Sequence, residues 1–395
     1  MMKPIFRFVC FFLLLLGTVC LVAGGLFPSV VYADGGAPQL AYVAGAAHGL
    51  SVIDIAQRRP TSTLDLAGQP RMVLLSLDGS ALYVAQPGLG RVTVLATKTD
   101  KTICTANLPG QPSLLALSID ATVLYAAGQG DDSVRALDPT TCAVERTFET
   151  REPIYGLAVA ASVAANATPA TPNQIWVSGN SGLTVFDATG RLLGTVPVVG
   201  GPQYISIPAG FTAYVTTRQG SVLAVDLNTR RVIRTLISGG TYGQMDYDAT
   251  TGEVYVPDLQ HNVLDVLTPI TASTALMPRD PARQYTLSSS PQSIAITSDG
   301  QLGFVALANG QVFMLDLPGH RVITSITVGG TPRFIITGLY PPTSISPVST
   351  PQSVLSSPVV STSGPLVVLG LLVLLVLVCL GLLSAFWFFW RRAHK

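Results

Sequence analysis

A chain of 395 residues with 23 basic against 22 acidic side chains, and only 11% charged residues in all, carries no basic footprint for nucleic acid. Its 48% hydrophobic content is inflated by the two ends, so each end is read before the fold between them.

Residues 1–33 have the features of a secretory signal. Lys3 and Arg7 form a basic start, Val9 to Leu26 is an apolar run, and Val31-Tyr32-Ala33 supplies a cleavage site before Asp34. The apolar run is long for a signal, so retention as an anchor is the alternative. Cys20 follows Gly17-Thr18-Val19, which lacks the small residue that precedes a lipidated cysteine.

From Leu40 onward one unit repeats. The last complete copy, Gln292 to Pro332, has four short apolar runs separated by Ser298-Asp299-Gly300, Ala308-Asn309-Gly310 and a turn after Asp316. The fourth run, Arg321 to Val328, alternates polar and apolar residues as a half-buried outer strand does. An aromatic followed by a small β-former marks the second strand of each unit: Tyr42-Val43, Tyr83-Val84, Tyr125-Ala126, Trp176-Val177, Tyr214-Val215, Tyr255-Val256 and Phe304-Val305. Third strands end in Asp54, Asp138, Asp187, Asp226 and Asp316, with Ala96 and Thr268 in the remaining two units. A period of about 40 residues with four short strands per unit predicts an all-β seven-bladed β-propeller of four-stranded antiparallel blades. The first unit has only three strands, and Arg333 to Thr337 is a lone strand after the last. Joining them closes the ring and hides the open edges.

These marks, with Thr327-Val328-Gly329-Gly330-Thr331-Pro332 closing the last unit, resemble the YVTN-type seven-bladed propellers. The resemblance covers Leu40 to Thr337. It implies likeness to secreted and surface-layer proteins, and more remotely to lactonase-type propellers and the haem domain of cytochrome-type nitrite reductases. The Gly-His and Trp-Asp marks of Trp-Asp repeat propellers are missing.

Two insertions interrupt the period, Ala160 to Asn173 between first and second strands and Thr268 to Arg283 between third and fourth. Both connections open on the same face of a propeller. The first contains the sequon Asn166-Ala167-Thr168. Residues 341–364, rich in Pro, Ser and Thr and free of charge, are expected to form an extended stalk of ~70 Å at ~3.1 Å per residue. Residues 365–390 are predominantly apolar and end in Phe386-Trp387-Phe388-Phe389-Trp390, which predicts a membrane-spanning helix. The basic tail 391–395 then lies in the cytoplasm, and residues 34–340 form an ectodomain on the outer side of the cell membrane.

Candidate chemistry is sparse. The strand-ending Asp residues, and Asp78, Asp120 and Asp299 in first-to-second-strand hairpins, are expected to build turns by accepting local backbone N–H groups. His48, His261, His320 and His394 form no metal-ligand spacing, and no axial haem position carries over, so neither a metal nor another cofactor is expected. Cys104 and Cys142 fall on fourth strands of adjacent blades, which splay at the rim, so unbonded thiols are expected. No catalytic set is assembled. What remains is the channel mouth, where the first residues of the inner strands gather: Arg71, Ser113, Ile154, Gln203, Tyr242, Gln292 and Arg333, with the aromatic neighbours Tyr155 and Tyr204. A polar, aromatic and mildly basic ring suits a small anion or a peptide end. The expected function is a non-enzymatic binding, adhesion or scaffold module at the cell surface, whose partner is a protein, a glycan or a cell-wall ligand. A lactonase-like hydrolase on the same fold is the alternative that the resemblance implies.

Overall fold

The computed structural model describes residues 39–160, 173–270 and 281–338. Within them seven four-stranded antiparallel sheets follow one another. Blades 2 to 7 occupy residues 72–107, 114–149, 156–197, 202–238, 246–286 and 291–327, each running from its inner to its outer strand. Blade 1 combines Leu40–Ala46, Gly49–Asp54 and Arg59–Asp65 with Phe334–Thr337 as its inner strand. Val43 pairs with Ile335 and Ala41 with Thr337, so the chain closes its own ring. The expected signal, stalk, membrane span and tail, and the sequon, lie outside the described residues.

The aromatic marks are the core. Trp176, Tyr125, Tyr255 and Phe304 are among the largest fully buried side chains, and Tyr42, Tyr83 and Tyr214 are nearly as enclosed. Each stands on a second strand, where alternate side chains face the two neighbouring blades. Burial of side chains of this size contributes about 2–3 kcal/mol apiece. Outer strands bury little. Leu64, Ala106, Phe148, Val196, Leu236, Tyr285 and Ile326 are the single buried residues of the seven, each close to its strand's end. The turn that closes the ring is tight. Gly330 has φ +67°, and a Cβ there would lie 2.6 Å from the Gly45 carbonyl oxygen. Only glycine meets both demands.

The repeated aspartates build turns, as expected. Asp54 accepts Gln57 N–H, Asp138 those of Thr140 and Thr141, Asp226 those of Asn228 and Thr229, and Asp316 that of Gly319. Asp78, Asp120 and Asp299 accept the N–H two residues ahead in the same manner. Asp187 is the most enclosed of the strand-ending set. It accepts the Thr189 and Arg191 N–H groups, the Thr189 hydroxyl and Arg191 Nε at 2.6–3.0 Å. Burial opposes its charge, but these donors together hold the carboxyl down at about 2. Its stabilising contribution is therefore present above pH ~4 and lost as pH falls through about 2. Replacing Asp187 by Ala is expected to cost roughly 1–2 kcal/mol at pH 7. A urea melt at pH 7 checks this, and an unchanged midpoint would contradict it.

One expectation is overturned. Cys104 and Cys142 form a disulfide, with Cα atoms 5.7 Å apart. Cys104 is on the outer strand of blade 2, as read from the sequence. Cys142 is not on the outer strand of blade 3 but in the turn before it, with φ +62° and its N–H bonded to the Asp138 carbonyl. That turn folds Cys142 into the core cluster shared with blade 2. The splay of outer strands therefore does not separate the pair.

Candidate site at the channel mouth

The blade-to-blade turns deliver seven inner strands to one end of the channel. Four of the predicted site residues converge there. Arg71, Tyr204, Gln292 and Arg333 surround a cavity of about 40 Å3, together with Ser113, Leu114, Gly243, Gln244 and Leu259. Arg333 Nη1 donates to Gln292 Oε1 at 3.3 Å. The Gln292 side-chain amide is itself tethered to Ser290, its Nε2 lying 3.2 Å from the hydroxyl. Both arginines are exposed, and no carboxylate lines the cavity among the described residues. The volume is too small for a whole ligand, but it suits one anionic group held between two guanidinium forks.

Tyr155, Gln203 and Tyr242 stand apart from this cavity. Tyr155 is half-buried, and the Arg218 guanidinium lies 4.2 Å from its ring centre. Arg218 also donates to the Asn180 side-chain oxygen at 3.2 Å. The carbonyl of Gln203 accepts the Ser178 hydroxyl, which ties blade 5 to blade 4. A Cβ on Gly156 would collide with that same carbonyl, so the two inner strands approach only because residue 156 is glycine.

Tyr242 departs furthest from expectation. Blade 6 lacks the proline that ends the other turns and has Thr241 there instead. Tyr242 then forms an antiparallel bridge with Asp258, and Gly243 N–H bonds Pro257. The side chain of Tyr242 is buried in a crevice between blades 5 and 6. Gly243 and Gln244 take its place at the mouth, where Gln244 N–H reaches the Gln292 carbonyl at 3.2 Å. A Cβ on Gly243 would lie 2.5 Å from that carbonyl. The inner strand of blade 6 is consequently only Asp246–Tyr247.

That crevice also holds a polar cluster that the repeat pattern does not reveal. Asp258 Oδ2 and His261 Nδ1 are 2.7 Å apart, and Asp265 Oδ1 accepts Gln284 Nε2 at 2.7 Å. The hydrogen bond and charge of Asp258 raise the His261 imidazole above its ordinary value. Burial, followed by the neighbouring Asp258, pushes up the Tyr242 phenol. The available signal was the missing proline together with carboxylates at inward positions of blade 6.

No protein-family model matches the chain, and no curated protein matches it. Solved structures do. Dihydro-heme d1 dehydrogenase NirN in complex with DHE aligns with TM-score 0.57 at 14% identity, over 79% of this chain and 78% of that one. The Cps50 (Swd1) β-propeller domain of Myceliophteria thermophila aligns with TM-score 0.58 at 15% identity, over 69% and 90% of the two chains. Kuenenia stuttgartiensis hydrazine synthase gives TM-score 0.53 at 16% identity, again over 69% and 90%. Likeness at such identities carries the architecture and nothing of the chemistry: the chain is a seven-bladed β-propeller.

Proposed function

We propose that this chain is a YVTN-type propeller that binds an anionic group at the cell surface without turning it over. The ligand is a carboxylate-bearing peptide end or an acidic glycan or cell-wall polymer. Residues 34–340 form the ectodomain, residues 341–364 a stalk and residues 365–390 the membrane anchor. The observation that carries the binding reading is the convergence of Arg71 and Arg333 with Tyr204 and Gln292 on one opening that has no lining carboxylate. Each guanidinium is permanently charged and presents a planar fork that matches a carboxylate or phosphate. The anchor rests on the apolar run and its aromatic and basic end.

Two experiments separate these parts. Full-length chain in cell membranes is expected to resist carbonate extraction, and a cysteine placed on the propeller surface to react with an impermeant maleimide before lysis. Release by carbonate, or labelling only after lysis, contradicts the anchored and external placement. Immobilised ectodomain is expected to retain acidic polymers and free peptide carboxylates over their neutral or amidated counterparts. That retention should weaken as salt rises, since the site is exposed. Equal retention of neutral and acidic forms contradicts the anion reading.

A further inference from the structure

A cavity larger than the mouth, of about 340 Å3, lies in the crevice between blades 5 and 6. One wall is the end of the outer strand of blade 5, Thr235 to Ser238. Tyr242, Asp258, His261, Asp265 and Gln284 supply the side facing it. The volume lies at the lower end of the ~300–1,000 Å3 usual for small-molecule sites.

Asp265 is the residue that the repeat does not explain. Strand periodicity places Asp265 with Val263 and Leu267, on the side of blade 6 turned toward blade 5. At the position of Asp265, paired with the residue after the second-strand aromatic, the other six blades hold Ser51, Thr93, Arg135, Thr184, Leu223 and Phe313, none of them a carboxylate. Asp265 is only 3% exposed, and it lines the cavity. Its Oδ1 is bonded to Gln284, its cross-strand partner, while among the described residues no hydrogen bond reaches its Oδ2. Asp258, equally enclosed, already has His261 as its partner. Arg283, the neighbour of Gln284 on the strand, pairs with Glu253 instead.

We propose that this crevice binds a primary alkylammonium group, with Asp265 as its counter-ion. An enclosed carboxylate with one open oxygen costs free energy until a cation meets it. An ammonium supplies three donors and a compact charge, and the adjacent hydroxyls, Gln284 and the Asp258–His261 pair offer further hydrogen-bonding groups. Burial and the nearby charge of Asp258 raise the Asp265 carboxyl above its ordinary value, only partly offset by the Gln284 hydrogen bond and by His261. The ammonium could come from a free diamine or from a lysine side chain of a peptide. The site is distinct from the mouth, so failure of one reading leaves the other standing.

The test uses the full chain in detergent and isothermal titration with cadaverine, 1,5-pentanediol, Nα-acetyl-lysine amide and calcium chloride. Cadaverine is expected to bind saturably and the isosteric diol not to bind, a comparison that needs no variant. Affinity for cadaverine should fall roughly tenfold or more in Asp265→Asn, which keeps the Gln284 hydrogen bond, and stay unchanged in R71A/R333A. Binding of the lysine amide as tightly as cadaverine identifies the peptide source, and its exclusion identifies a free diamine. Equal binding of diol and diamine, equal affinity in Asp265→Asn, no saturable binding, or a response to calcium alone would each overturn the assignment.

Discussion

Replacing both Cys104 and Cys142 by serine is expected to lower stability by about 3 kcal/mol, seen as a lower urea midpoint with a slope that is steeper if it changes, because the unfolded chain loses its cross-link. The bridge links blade 2 to blade 3 across 38 residues. A loop of that length restricts the unfolded chain considerably, since each cross-link removes closure entropy that grows with loop size. The folded side of the balance is favourable as well, because Cys142 is buried in the cluster that includes Met72 and Leu115. Reduction of the wild-type chain should reproduce the double variant, and adding reductant to the double variant should do nothing more. A midpoint that is the same with and without the bridge would contradict this reading. The pair also fits the external placement proposed for the propeller, since disulfides persist in oxidising compartments.

The second large effect belongs to Asp246, on the shortened inner strand of blade 6. Its Oδ2 accepts Ile296 N–H of blade 7 at 2.8 Å, and its Oδ1 accepts Tyr247 N–H at 2.9 Å. The residue is half-buried, and its carboxyl is held between blades 6 and 7 by these two bonds. That setting decides its chemistry. Burial pushes the carboxyl up to about 7, Asp248 adds to the rise, and the two backbone donors only partly oppose it. The native state thus holds a proton between pH ~4 and about 7 that the unfolded chain has lost. Stability contributed by this group is fully present at the acid end and declines as pH rises through that window. Asp246→Asn retains an oxygen acceptor for Ile296 and removes the buried charge. It should stabilise the propeller by roughly 3 kcal/mol at pH 8 and leave it unchanged near pH 4. Equal effects at the two pH values, or destabilisation at pH 8, would show that the carboxyl is not desolvated.

Much of this architecture is readable from the repeat itself. The aromatic of each second strand had to be core, because a propeller has two apolar faces per blade and those strands are covered on both. The incomplete first unit and the lone strand at Phe334 were complementary pieces of one blade, and unpaired edges make any other arrangement costly. The turn role of Asp187 and its counterparts followed from their placement after a strand. The disulfide did not follow, because a strand-level reading cannot tell an outer strand from the left-handed turn two residues before it. Cys142 sits in that turn.

The site was legible only in part. Arg71, Gln292 and Arg333, each directly after its turn proline, reach the mouth because their blades share one turn geometry, whereas in blade 5 the residue that lines it is Tyr204, one position beyond the equivalent Gln203. Tyr242 breaks that rule. Without a proline at 241 the chain follows the edge of blade 6 for longer, and two further residues pass before Gln244 arrives at the mouth. Asp265 was hidden for the opposite reason. It occupies an ordinary inward position of a strand, and only the crevice beside it gives that carboxylate significance.

The mouth is tested most directly by titrating an acidic ligand retained by the ectodomain against wild type and R71A/R333A at low salt. The affinity of the double variant should fall by roughly tenfold or more, with its melting transition intact, because both side chains are exposed. Undiminished binding in a folded R71A/R333A ectodomain would contradict the placement of the site.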